Sequence, residues 1–177
     1  MPKTSTPLNV AQGYADTVIN TLAPFCERIE VAGSVRRQKA EVGDLEIVAI
    51  PKMIDTLNLF GDIVGAQSQL DLFNFELFGR VIKGGSRYKQ IEMRVGINLD
   101  LFLVLLPAQW GVIFLIRTGS ADFSRMMVTQ KVKGGYLPSD CRVKDGAIWR
   151  GETMLSTPEE SDFFNLCGMD VVPPEKR

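Results

Sequence analysis

Apolar positions recur at helical spacing from the start of the chain. Val10, Tyr14, Val18, Leu22 and Phe25 fall on one face of a 3.6-residue period, so the pattern predicts an amphipathic helix over 10–28 with Asn9 as its N-cap. A short strand over 29–32 then enters Gly33-Ser34, and a polar connection over 36–41 leads to an apolar run, 45–50, that ends at Pro51. Residues 54–79 read as mostly helical, in pieces divided by Gly61, Gly65 and the polar 67–69. Strands are expected over 81–83, 87–95 and 98–106, with turns at Gly84-Gly85 and Gly96. Tyr88, Gln90 and Glu92 alternate with Lys89, Ile91 and Met93, which predicts a half-buried strand.

After Pro107 the character changes. An apolar segment, 110–117, precedes a Thr118-Gly119-Ser120 turn and an expected helix over 121–133. Asp145-Gly146, between 142–144 and 147–150, is a strong hairpin signal. Thr157-Pro158-Glu159-Glu160 predicts a helix start with a threonine cap, proline in first position and acids in the first turn; the helix stops at Gly168. The pattern predicts an α+β protein with a lobe boundary near Pro107.

Composition mostly excludes. The chain has 177 residues, 45% hydrophobic and 23% charged, enough for one domain or two lobes sharing a core. Residues 1–9 are polar, with Pro2 and Pro7 and no apolar central region, unlike a secretory signal. The most apolar stretch, 99–116, is broken by Asp100, Pro107, Gln109 and Gly111, so no membrane span is expected. Cys26, Cys141 and Cys167 are scattered and there is no histidine, which argues against a Cys/His zinc site and removes every mechanism that needs an imidazole. A soluble intracellular protein is expected.

Net charge is -1, yet the basic residues are blocked. Arg80, Lys83, Arg87, Lys89 and Arg94 face one acid, Glu92; over 117–150, seven basic residues, among them Arg117, Arg125, Lys131 and Lys133, face three acids. A locally basic face for nucleic acid is the functional expectation; an ordinary solvated surface is the alternative.

The chemistry concentrates in acids. Asp44 and Glu46, at i and i+2 on the expected strand, point to one face. Asp100 lies among Leu99, Leu101, Phe102 and Leu103, where an acid is costly unless it is paired or holds a metal. Two solvated acids on a strand edge would explain the first pair but not Asp100. Three close carboxylates repel one another, so one of them should have a raised pKa in the absence of a cation. Two divalent ions about 3.5–4 Å apart would relieve this and clamp an in-line displacement. All-oxygen ligands favour Mg²⁺ or Mn²⁺. Ser34, in the Gly33-Ser34 turn, and the forked donor Arg37 are placed to meet a triphosphate.

Gly33-Ser34-Val35-Arg36-Arg37 followed by Gly43-Asp44-Leu45-Glu46 resembles the nucleotidyltransferase motif of family X DNA polymerases, the polymerase beta-like group. Asn98-Leu99-Asp100, Thr118-Gly119-Ser120 and the tail over 158–177 are similar to further family segments, so the resemblance spans about residues 10–177. It implies a palm, a mixed sheet with helices on one face, over 1–106, and a small α/β lobe over 107–177 that binds the nucleotide and nascent base pair. It resembles minimal viral members built from these two lobes alone, so a cytoplasmic or viral origin is expected. The implied metal ligands are Asp44, Glu46 and Asp100, with Ser34, Arg37, Gly33 and Gly43 on the phosphates. Thr118, Gly119, Ser120, Ala121 and Ser124 would lie against sugar and base. Lys83, Arg87, Lys89, Arg125, Lys131 and Lys133 are the candidate nucleic-acid contacts.

Several positions depart from the family pattern. Glu46 stands for the more usual second Asp, Asn98 for a common Arg, Ile116-Arg117 for aromatic residues that gate the sugar, and Val128 for an Arg that often tracks the template. The expected activity is transfer of dNMP to a primer 3′-OH on a primer/template or gapped duplex, as in repair. The alternatives are template-independent transfer to an RNA end, a protein or a small molecule, and a non-catalytic nucleic-acid-binding module.

Overall fold

The structure, a computed structural model, describes residues 5–177, so the first four residues of the expected 1–106 lobe lie outside it. In chain order, β1 (Thr6–Pro7), α1 (Leu8–Leu22), β2 (Cys26–Val31), α2 (Gly33–Arg36), β3 (Glu41–Val42) and β4 (Asp44–Pro51) are followed by the hairpin of β5 (Met53–Leu57) and β6 (Ile63–Ser68). Then come β7 (Gly79–Gly84), β8 (Tyr88–Met93) and β9 (Asn98–Leu103). The second half holds α3 (Trp110–Thr118), α4 (Ala121–Val128), β10 (Cys141–Lys144), β11 (Ala147–Arg150), β12 (Thr153–Leu155) and α5 (Glu160–Cys167).

The main sheet is mixed, in the order β2-β4-β9-β8-β7. β4 runs parallel to β9, and the other pairs are antiparallel. Alternation along these strands sorts the residues. Leu45, Ile47 and Ala49, with Leu99, Leu101 and Leu103, enter a core closed by Ala11, Ala15, Val18 and Leu22 of α1. Burying each of the larger side chains stabilises the fold by about 1.5–3 kcal/mol. On the opposite face Val48 packs with Ala108, Trp110 and Phe114, so α3 covers one end of that face and leaves the end bearing Asp44 and Glu46 accessible. A third cluster joins Val112 and Leu115 of α3 to Met127, Ile148, Phe163 and Phe164.

Several local expectations are corrected. The first helix ends at Leu22, because Pro24 supplies no N–H to continue it, and residues 26–31 become a strand. Its buried stripe is led by Ala11 and Ala15 while Val10 is exposed. The expected helical region 54–79 is instead the β5–β6 hairpin and two 3-10 turns, Gln69–Asp71 and Phe75–Leu77. Asn58 Oδ1 accepts from the N–H groups of Phe60 and Asp62, and Gly61 at φ 88 completes the reversal. Finally, α4 stops at Val128, and α5 is capped by Glu159 rather than Thr157. The N–H and hydroxyl of Thr157 both bond Gln109 Oε1, which ties that residue to the start of α3 and away from the cap.

One ionic knot joins distant segments. Glu160 accepts from Arg36 at 2.9 and 2.7 Å and from Arg177 at 2.5 Å. Burial alone would raise the Glu160 pKa, but the bonds from Arg36 and Arg177 outweigh it and hold the carboxyl below its ordinary range. Removing the acid leaves two guanidinium groups without their partner, so Glu160→Ala is expected to cost about 3–5 kcal/mol in denaturant unfolding. The sign with pH follows from the lowered folded pKa. The stabilisation is present above the ordinary carboxylate value and is lost as pH falls through the lowered one. Glu160→Gln should therefore remove part of the acid-denaturation limb, and an unchanged limb would refute this role.

Candidate active site in the carboxylate cleft

The β4–β9 register pairs Glu46 with Asp100 and Asp44 with Asn98. Asp44, Glu46 and Asp100 therefore share one face, two of them directly opposite across a parallel ladder. Burial pushes Glu46 up to about 7; Asp44 adds to the shift and Asp100 adds less, while Arg117 and Arg37 oppose it. Asp100 Oδ1 accepts from the Tyr88 hydroxyl at 2.6 Å and from Gln90 Nε2 at 3.0 Å, both on β8. Burial and this bond raise the Tyr88 pKa, so the phenol stays a donor.

The acids share a face without closing into a cage. Among the described residues no three Cys, Asp or Glu side chains form a ready cation cluster. Like charges repel, and Asp100 is drawn toward Tyr88 and Gln90.

The Gly33-Ser34 turn lies against Glu46. Gly33, at φ 57, opens the short α2. A Cβ there would come within 2.1 Å of Glu46 Oε2, so only glycine allows the approach. Ser34 Oγ and Arg37 Nε are buried without a hydrogen-bond partner, which leaves both donors available to an anion. Gly43 immediately precedes β4. A cleft of about 770 Å³ opens over the same face, lined by Glu46, Asp100, Arg87, Tyr88, Phe102 and Arg117. The β10–β11 hairpin tip closes its far end. Gly146, at φ 77, brings its carbonyl to the N–H of Gln109 at 2.9 Å.

Other expected contacts are placed differently. Thr118 is fully buried; its hydroxyl accepts from Arg36 at 2.6 Å and its carbonyl from Arg37 at 2.6 Å. Its side chain therefore holds Arg36, and its backbone carbonyl holds Arg37. Ser124 Oγ donates to Ile116 O at 2.7 Å, bracing the end of α3, and Ser120 caps α4. Gly119 lies between them as the C-cap of α3.

Of the basic residues, Lys89 is corrected outright: it is 5% exposed and paired with Asp71 at 2.8 Å, on the face away from the cleft. Arg87 donates to the carbonyls of Leu105 and Leu106, Arg125 pairs with Asp122, and Lys131 Nζ donates to Cys167 O. Lys83 and Lys133 are exposed. Tyr88 and Arg117 line the cleft and Gln90 bonds Asp100, and no sequence motif assigns these three to the site. The alternation of β8 had already set Tyr88 and Gln90 on one face, but the register against Asp100 was not written locally.

The donor set fits a hard divalent cation in kind: three carboxylates, one strained toward neutrality, beside unpartnered donors suited to phosphate. Two consequences can be measured. Because the folded pKa of Glu46 lies above the unfolded one, its contribution favours the fold at low pH and is lost as pH rises toward about 7. Metal-free protein should therefore lose stability over that window, and Glu46→Gln should flatten the slope in thermal unfolding; an identical slope would contradict it. Tyr88→Phe removes a donor that orients Asp100. It should weaken Mn²⁺ binding, read by paramagnetic resonance, by about 10- to 100-fold with the fold intact.

No family model matches this chain, and no curated protein matches it by sequence. Solved structures do match. A crystal structure of Leishmania infantum polymerase beta, a ternary P/T complex, aligns with a TM-score of 0.70 over 98% of this chain and 77% of that chain, at 13% identity. The chain thus shares its fold with that polymerase beta, α+β with a mixed sheet.

Proposed function

We propose that this chain catalyses metal-dependent nucleotidyl transfer, adding dNMP from a triphosphate to a primer 3′-OH as a gap-filling DNA polymerase. One observation carries the reading: the parallel register sets Glu46 beside Asp100, with Asp44 on the same face and the Gly33 turn pressed onto Glu46. The fold likeness supports it. On this reading residues 1–106 form the catalytic palm and 107–177 the lobe that receives nucleotide and nascent pair.

Asp44, Glu46 and Asp100 are the groups to hold two Mg²⁺ or Mn²⁺ ions, which when bound lower the pKa of the attacking hydroxyl and offset charge on pyrophosphate. The chain's own donors do the rest. Ser34 Oγ and Arg37 Nε, unpartnered in the protein, bind phosphate oxygens. Tyr88 and Gln90 fix one oxygen of Asp100 and so set the direction of the other. The primer 3′-hydroxyl releases its proton to solvent as its oxygen bonds to the α-phosphorus, the bond from that phosphorus to the α–β bridging oxygen breaks, and pyrophosphate leaves with the bridging oxygen.

A second reading keeps this chemistry and changes the acceptor to a template-independent one. It is favoured by the engagement of Arg87, Lys89, Arg125 and Lys131 within the protein, which leaves fewer cations for a long duplex.

The test gives purified protein a gapped duplex and a single-stranded primer, with Mg²⁺ or Mn²⁺ and nucleotides. Templated extension that falls to background in Asp44→Asn and Asp100→Asn is expected. Addition that ignores the templating base selects the second reading. Absence of transfer to either substrate with both metals overturns the proposal.

A further inference from the structure

We propose that Arg117 is a resident counter-cation of the carboxylate face, screening Asp44, Glu46 and Asp100 in the metal-free chain and turning to the triphosphate when metal and nucleotide arrive. The inference rests on reading those acids as metal ligands.

Arg117 is the penultimate residue of α3. Its guanidinium carbon lies 3.9 Å from the centroid of Phe102, and Phe102 follows Asp100 by two residues on the same face of β9. The stack therefore suspends a positive charge over the strip of sheet that carries Glu46 and Asp100, and Arg117 lines the cleft with both. Phe102 in turn stacks on Tyr88, centroids 5.1 Å apart, and Tyr88 bonds Asp100.

What holds each arginine differs. Arg36, over Phe114 at 3.9 Å, is locked by Glu160 and Thr118. Arg37 is fixed to the carbonyl of Thr118, and Arg28 to Glu30 and Glu159. Arg117 rests on a ring face, and its Nε is buried without a partner. A ring face holds a cation but does not fix its direction. The next residue, Thr118, is buried and bonded from both sides, so Arg117 turns on a fixed pivot.

The charge logic follows. A divalent ion approaching the acids meets the repulsion of Arg117, so free metal binds more weakly than the acids alone would allow. A triphosphate arriving with the metal offers the guanidinium a new anion and converts the penalty into attraction. The chain thereby favours the metal–nucleotide pair over metal alone.

The test titrates the full chain and its Arg117→Ala, Arg117→Gln and Arg117→Lys variants with Mn²⁺ by paramagnetic resonance, without and then with a non-hydrolysable deoxynucleoside triphosphate. Loss of charge should tighten free Mn²⁺ binding by about three- to tenfold and weaken nucleotide binding in Mn²⁺ by at least as much. Arg117→Lys should remain near the wild type with free Mn²⁺. Mg²⁺ should also raise the melting temperature more in Arg117→Gln than in the wild type. Mn²⁺ affinity unchanged or weaker in both neutral variants overturns the proposal, as does unaffected nucleotide affinity. Mn²⁺ binding abolished by Asp44→Asn yet indifferent to position 117 defeats only this inference. No Mn²⁺ binding by the wild type defeats the functional reading with it.

Discussion

The parallel ladder between β4 and β9 constrains everything at the cleft. A parallel pair cannot be closed by a tight turn, so β9 reaches β4 only after the chain has built β5 to β8. Once there, its register is held by burial. A slip of one residue would turn Leu99, Leu101 and Leu103 out of the core and Asp100 into it. Apolar packing on one face thus holds like charges together on the other. Neither set alone specifies the site: the leucines supply the free energy, and the acids turn that alignment into a carboxylate face with a strained Glu46.

A second set of bonds relates the Gly33-Ser34 turn to the rest of the cleft. Arg36 and Arg37 leave α2 toward the two polar ends of Thr118, and Arg36 continues to Glu160, which also holds Arg177. These are charge-assisted bonds between buried or half-buried groups, stronger than neutral ones and little screened by salt. The C-terminal residue is therefore coupled through one carboxylate to the turn beside Glu46. The same bonds explain why Thr118, expected to meet a nucleotide, is part of the scaffold instead.

Sequence pattern disclosed the strands that carry the acids because the acids interrupt apolar runs. It also disclosed the Asp145-Gly146 hairpin, whose turn chemistry is local. It failed over 54–79. There Ile54, Leu57, Leu70, Phe73 and Leu77 mimic a helical stripe, while the Asn58 turn and the β5–β6 pairing prevail. Lys89 misled for a different reason. A lysine on a strand reads as surface, and only the position of Asp71 shows that it is buried and paired. Tyr88 and Gln90 could not be linked to Asp100 without the β8–β9 register, which is a property of the assembled sheet.

The absence of histidine gives Glu46 an unusual place in the chemistry. Near neutral pH the titrating group in this cleft is a carboxylate at about 7, and it is one of the groups that would ligate a metal. Proton and cation then compete for the same oxygen atoms, so each lowers the apparent affinity of the other. Desolvation, the main cause of the shift, would disfavour the bare anion and leave the metal-bound carboxylate less affected, because a bound ion supplies the charge that water no longer does. Burial of Glu46 therefore weakens the empty site more than the filled one. Arg117, the cation that opposes the shift most, acts in the opposite sense on the empty site. The balance between that arginine and the desolvation of one glutamate sets how far the face stays ionised before any cation arrives.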